Sequence, residues 1–247
     1  MKKWISYLIV FMLLTGIGLS VHADTDFGQD LTPYDYQHIT VGNPTPLNGQ
    51  FFTELWGNST SDTDVRHLVA GYNLVIWDTD ESWFRFDSSV VSSASITEDS
   101  EGNRTYLLTL WDDLAYSDGT PITAYDYAFS VLLQGSPLIP ELGGYPARYG
   151  YFLGFDAYAS GEKASIAGLR VPSRNQIQFT VSHESLPYFF ELSRLSFYPY
   201  PIHVIAPGYS VYDSEEGAFI GKTDSEGKDG LTADLLKKTI LDPKNIR

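Results

Sequence analysis

Histidines, paired carboxylates and activated nucleophiles are where chemistry would first show in this chain. The five histidines stand at 22, 38, 67, 183 and 203, and no two are four apart with an acidic neighbour, as a helical zinc site requires. His38, His67, His183 and His203 are therefore read as surface or satisfied core residues, and no metal site is expected. There is no Gly-x-Ser-x-Gly elbow and no glycine-rich loop ending in Lys-Ser/Thr, so neither a serine hydrolase nor a phosphate cradle is indicated. Cysteine is absent, which removes thiolate catalysis, disulfides and iron–sulfur clusters. Asp112 and Asp113 are adjacent, and neighbouring strand side chains point to opposite faces, so the two carboxylates diverge instead of forming an acid–base pair. The stretch Asp224-Ser225-Glu226-Gly227-Lys228-Asp229-Gly230 puts lysine at a ligand position of a calcium loop and lacks the closing glutamate; it reads as a solvated turn. With no seat for catalysis, the expectation is a protein that binds without transforming, not an enzyme, and without a cofactor.

The abundant resource is aromatic. The chain holds 17 Tyr, 14 Phe and 5 Trp in 247 residues, clustered at Phe51-Phe52, Trp56, Tyr145, Tyr149-Gly150-Tyr151-Phe152 and Tyr198-Pro199-Tyr200. These side chains supply wide apolar area, and Tyr and Trp add a polar handle, which suits a cleft for an amphipathic ligand as well as it suits a core. Acidic residues number 31 against 16 basic, a net charge of −15, the wrong sign for a nucleic-acid partner. At 43% hydrophobic and 19% charged, the chain has material for a packed core and is not an acidic disordered tail.

The elements that would position these residues mix short strands with helices. A strand is predicted over His38–Val41, ended by Gly42-Asn43-Pro44. Asp62 can cap a helix whose Val65, Leu68, Val69 and Tyr72 share one face, and 73–77 reads as a buried strand. Strand formers run over 105–110 and lead to the turn Ser117-Asp118-Gly119-Thr120-Pro121. Thr123 with Asp126 makes a capping-box-like start to a helix reaching about Gln134, and a short helix is expected over 152–159. Strands over 166–171 and 176–181 form a hairpin; in the second, Ile177, Phe179 and Val181 alternate with polar residues. Ser185 caps a helix with Pro187 in its first turn, carrying Tyr188, Phe189, Leu192 and Leu195. Residues 213–230 read as a polar loop, and Thr232 opens a last helix with Leu235, Leu236 and Ile240.

Lys2-Lys3, the apolar run from Trp4 to Leu14, and small residues up to Ala23 predict a secretory signal peptide over 1–23, cleaved after Ala23. An uncleaved anchor is the alternative. Residues 24–37 form a flexible lead-in. No cysteine is there to carry a lipid anchor, so the expected location is the periplasm or the extracellular or cell-surface space.

Four blocks resemble the family 5 extracellular solute-binding proteins, the oligopeptide- and dipeptide-binding receptors of ABC importers. The most specific is the segment from Tyr106 to Ser130, a strand, a polar turn, Ser117-Asp118-Gly119-Thr120-Pro121, then a helix opened by Thr123-Ala124-Tyr125-Asp126. The others run from Asn48-Gly49-Gln50-Phe51-Phe52 to Val65, from Tyr149 to Lys163, and from the Gly168-Leu169-Arg170-Val171 hairpin to Phe190. The resemblance covers about 38–240. It implies an α/β fold, periplasmic-binding-protein-like of type II and cluster C-like. In that fold a mixed-sheet large lobe I (36–72 plus 201–247) carries a small inserted α+β domain (73–200), and the second ligand lobe is missing. Family members are roughly twice this length, so the chain is a fragment or a truncated product. The implied function is an extracytoplasmic receptor of an ABC importer that binds oligopeptides, or another small solute, and delivers them as a monomer to membrane permease subunits. A secreted peptide-sensing or adhesion module without transport is the alternative. By the same correspondence Phe52, Trp56 and Asn58, with Tyr145 and Tyr149 from the small domain, are the candidate ligand-binding residues.

Overall fold

The computed structural model describes residues 42–49, 53–57 and 59–241. The predicted signal peptide, lead-in and 38–41 strand lie outside the described residues, as do Phe52 and Asn58. In chain order the helices are α1 (Thr60–Val69), α2 (Ala124–Gln134), α3 (Leu138–Glu141), α4 (Phe155–Ala159), α5 (Ile202–Ile205) and α6 (Ala233–Thr239). The strands are β1 (Val75–Asp78), β2 (Trp83–Phe86), β3 (Val91–Glu98), β4 (Arg104–Leu110), β5 (Ser165–Ile166), β6 (Leu169–Ser173), β7 (Gln176–Val181), β8 (Tyr209–Ser214) and β9 (Gly217–Lys222). They make an isolated β1–β2 hairpin, a four-stranded sheet in the order β3-β4-β7-β6 and a three-stranded sheet in the order β5-β9-β8.

The centre is the β4–β7 pair. Tyr106 lies opposite Phe179 and Leu108 opposite Ile177, and all four are buried, because antiparallel partners share a face and successive residues alternate. Each such side chain contributes about 1.5–3 kcal/mol by leaving water. Helix α2 lies against both larger sheets and is buried along nearly its whole length. Its start is fixed as the sequence indicates, since Asp126 Oδ2 accepts from the Thr123 N–H and hydroxyl, each at 2.8 Å. Burial raises the Asp126 pKa, and the two Thr123 bonds oppose that rise.

The turn before α2 is also built as its residues predict. Gly119 takes a φ of +84°, where a Cβ would be strained, and Asp118 Oδ1 accepts the Thr120 N–H at 2.8 Å. Asp118 Oδ2 meets His203 Nε2 of α5 at 2.9 Å. The Thr120 amide, then His203, hold the Asp118 pKa down to about 2, against an ordinary 3.8. A depressed native pKa stabilises the fold fully above the ordinary value and loses that contribution as pH falls from about 4 towards 2. We expect His203→Ala to flatten the fall of Tm with acid in that window; an unchanged pH profile would show that the pair contributes nothing.

Several elements depart from the sequence reading, each for a tertiary reason. Helix α1 is capped by Ser59, whose Oγ accepts the Asp62 N–H at 3.2 Å, and not by Asp62. Asp62 is buried and accepts from the backbone of Asn48 at 2.9 Å. The helix therefore docks through Ser61 and Asp62, while Leu68 (81% exposed), Val69 and Tyr72 lie in water. The 166–171 strand is two strands in different sheets, β5 pairing β9 and β6 pairing β7. The change of sheet needs Gly168, where a Cβ would stand 2.7 Å from Thr180 O and 2.8 Å from Leu153 N. No α-helix follows Ser185: single 3₁₀ turns occupy His183–Ser185 and Glu191–Leu195, because Glu191 is drawn down onto Arg104 and Tyr106 at the sheet. The predicted 213–230 loop instead contains most of the β8–β9 hairpin, turned at Glu215-Glu216. At Gly217, with φ +115°, a Cβ would collide with the Ile166 carbonyl.

Candidate functional site

Four segments distant in sequence meet around the end of α2. The 53–57 segment is tied to the loop after α3 by Trp56 Nε1 donating to Leu142 O at 3.0 Å and by the Tyr145 N–H donating to Leu55 O at 2.7 Å. That loop is tied to α2 by the Ala147 N–H on Gln134 O at 2.8 Å. Tyr149 closes the circuit, its hydroxyl donating to Gln134 Oε1 at 2.6 Å. Of the predicted site residues, Tyr145 and Tyr149 thus lie at hollows bordered by Gln134, whereas Trp56 is held at Leu142 in the loop after α3 and lines neither hollow. Trp56 is half-buried and anchored by its indole N–H. Tyr145 is 77% exposed and overhangs a hollow of about 390 Å³ bounded by Glu54, Leu55, Gly57, Gln134 and Ala147.

Tyr149 lies deeper. Its ring meets Phe197 at 5.2 Å and Phe155 at 5.5 Å, both edge-to-face, and burial holds its phenol far above the usual range. It forms part of the wall of a cleft of about 360 Å³ that also takes in Glu54, Arg66 and His67 from α1 and its approach, Gln134, Tyr151, Arg194, Tyr198 and Tyr200. The segment carrying Tyr198 and Tyr200 is held by one buried hydroxyl: Ser130 Oγ donates to Tyr198 O and accepts the Tyr200 N–H, both at 2.7 Å.

Charge in this cleft is of both signs. The Glu54 carboxylate opposes ionisation of Tyr149 and Tyr200, adding to the burial that keeps both phenols neutral. Arg66 Nη2 donates to Thr63 Oγ1 at 3.0 Å, which steadies the guanidinium on the last turn of α1. Arg194 donates to Ser185 O at 2.9 Å and lies over the Tyr151 ring at 4.8 Å and the Tyr188 ring at 4.2 Å. A wall of neutral phenols with one carboxylate and two guanidiniums can hold a ligand that carries both charges and hydrogen-bonding amides. Sequence reasoning marked the Tyr149–Tyr151 and Tyr198–Tyr200 clusters but missed Glu54, Arg66, His67, Gln134 and Arg194. The available signal was a charged or amide residue beside an aromatic run, as at Arg194 and Glu54. Among the described residues no group of His, Asp and Glu is placed to hold a metal ion, and no helix is long and apolar enough to cross a membrane.

The family model described as bacterial extracellular solute-binding proteins, family 5 middle, matches residues 78–232. This chain belongs to that family, whose members are binding proteins of the extracytoplasmic side, and its mixed α/β architecture agrees with the fold class read from the sequence. A similar curated protein is the periplasmic oligopeptide-binding protein OppA of Escherichia coli (strain K12), 28% identical over 95 residues, or 38% of this chain and 17% of the relative. Similar solved structures include Haemophilus influenzae OppA in complex with the peptide RPPGFSPFR, at TM-score 0.47 and 17% identity over 67% of this chain and 34% of that one. The substrate-binding domain of an oligopeptide ABC transporter from Bacillus anthracis gives TM-score 0.47 and 18% identity over 68% and 34%. The chain thus spans 17% of the curated relative's length and 34% of each of these structures.

Proposed function

We propose that this protein is an exported receptor that captures an oligopeptide and hands it to the permease subunits of an ABC importer, doing no chemistry on its cargo. The observation that carries this reading is membership of the solute-binding family across 78–232, set beside a cleft whose walls combine neutral tyrosines with Glu54, Arg66 and Arg194. A peptide matches those walls: its ammonium suits Glu54, a carboxylate suits a guanidinium, and its backbone amides suit Gln134 and the phenols. Phe52, Trp56, Asn58, Tyr145 and Tyr149 are proposed as ligand contacts. In this account 36–72 with 201–247 form one lobe and 73–200 the inserted domain, the two joined through the β5–β9 pairing. Closure of the family's second ligand lobe over the cargo supplies the signal a permease reads. Residues 1–23 serve as the export signal, and the receptor works as a monomer in the periplasm or at the cell surface.

The test is a tryptophan-fluorescence titration of the complete polypeptide, and of these 247 residues alone, with a tetrapeptide library and the corresponding free amino acids as control. The reading expects a saturable change in the complete polypeptide with the peptides only, and little change in the 247 residues alone. A flat titration of the complete polypeptide rejects peptide capture, and shortening of the peptides during incubation rejects the absence of chemistry.

A further inference from the structure

Six aromatic rings form a continuous surface that lines no part of the cleft. Trp77 meets Phe84 at 5.0 Å, Phe84 meets Phe190 at 5.9 Å, Trp83 meets Phe189 at 4.6 Å and Phe190 at 6.1 Å, and Tyr188 meets Phe190 at 6.4 Å. The β1–β2 hairpin supplies three of them and the 188–190 segment the rest. Five are exposed, Phe189 most at 69%, and together they leave roughly 500 Å² of aromatic area in water. That is at the upper end of what a monomeric protein ordinarily exposes. Apart from the tilted Trp83–Phe190 pair, these ring contacts are edge-to-face, an arrangement that rings favour without their outer faces being covered.

Acidic residues flank this surface. The turn of the hairpin carries Asp80 and Glu81, and Glu184 stands on the 3₁₀ turn that leads into the 188–190 segment; all three are exposed. Asp78 is matched by Arg85 at 2.6 Å, but among the described residues no ion pair engages the other three carboxylates. Aromatic faces and carboxylates both attract cations, and the surface already holds one at its margin, Arg194 over Tyr188 at 4.2 Å. A second copy would bring the same acidic turn against itself on a chain of net charge −15, and an anionic lipid surface would be repelled in the same way.

We propose that the Trp83–Phe189 surface docks a basic amphipathic segment of a protein partner, its apolar side chains on the rings and its Lys or Arg side chains on Asp80, Glu81 and Glu184. This goes beyond solute capture and does not depend on what the cleft holds. The test uses the full chain and a labelled synthetic amphipathic peptide of Leu, Trp and Arg, read by fluorescence anisotropy at low and high salt, with a counterpart carrying Glu for Arg. The basic peptide is expected to bind, to weaken with salt, and to resist displacement by the tetrapeptide library. Binding should fall about tenfold in Phe189→Ser and again in the packing-neutral double variant Asp80→Asn/Glu81→Gln. The proposal is overturned by no binding of the basic peptide, by equal binding of the acidic one, by displacement with tetrapeptides or by full affinity in both variants. Phe189-dependent uptake onto phosphatidylglycerol vesicles, or a Phe189-dependent dimer in sedimentation, would also overturn it by naming a different occupant.

Discussion

Replacing Glu191 by alanine is expected to lower the stability of the fold by about 3 kcal/mol, which for a chain of this size lowers Tm by about 6–12 °C. Glu191 is 8% exposed and is the hinge of a polar cluster at the sheet. Its Oε2 takes Arg104 Nη1 at 2.6 Å, and its Oε1 accepts the Tyr106 hydroxyl at 2.6 Å. Burial first, then the Glu191 hydrogen bond, raises the Tyr106 phenol above its ordinary range. Alanine leaves that buried hydroxyl without its acceptor and Arg104 without its closer carboxylate. The effect stays near the lower end of values for broken buried pairs because Arg104 is part-exposed and keeps Glu98 at 3.3 Å. Glu191→Gln retains an acceptor for Tyr106 and should cost about 1 kcal/mol. Chemical denaturation of the two variants checks this order; equal losses would mean that the cluster stabilises through packing alone.

Tyr149→Ala should cost about 3 kcal/mol, because the part-buried ring packs edge-to-face against Phe155 and Phe197 and its removal opens the wall of the cleft. Tyr149→Phe separates the two roles of the residue. It keeps the packing and removes only the 2.6 Å hydrogen bond to Gln134, so the stability loss falls to about 1 kcal/mol. The Gln134 amide is then left without its fixed partner in the cleft, and peptide affinity should fall by about tenfold. A Tyr149→Phe protein that binds as tightly as the parent would place the ligand elsewhere.

What could be read from the residues was whatever is decided locally. Thr123 and Asp126 set the start of α2, the alternation of 176–181 set β7, and Asp118-Gly119 with Pro121 set a turn, each through neighbours in the chain. The errors fall where distant partners decide. Two adjacent glutamates make the β8–β9 turn look like part of a solvated loop, and the strand nature of 217–222 shows only when its backbone pairs with β5 and β8. The 186–190 segment carries helix-like spacing, yet Glu191 is claimed by Arg104, 87 residues away, and the helix does not form. The tyrosine clusters of the cleft were visible, but Glu54, Arg66, Gln134 and Arg194 have no shared spacing and meet only in the folded chain.

Capture without turnover is decided by native mass spectrometry of the receptor incubated with a defined tetrapeptide. A one-to-one complex whose added mass equals the intact peptide, diminished in Tyr149→Phe, is the expected result. Absence of any complex, or recovery of the peptide in cleaved form, would contradict it.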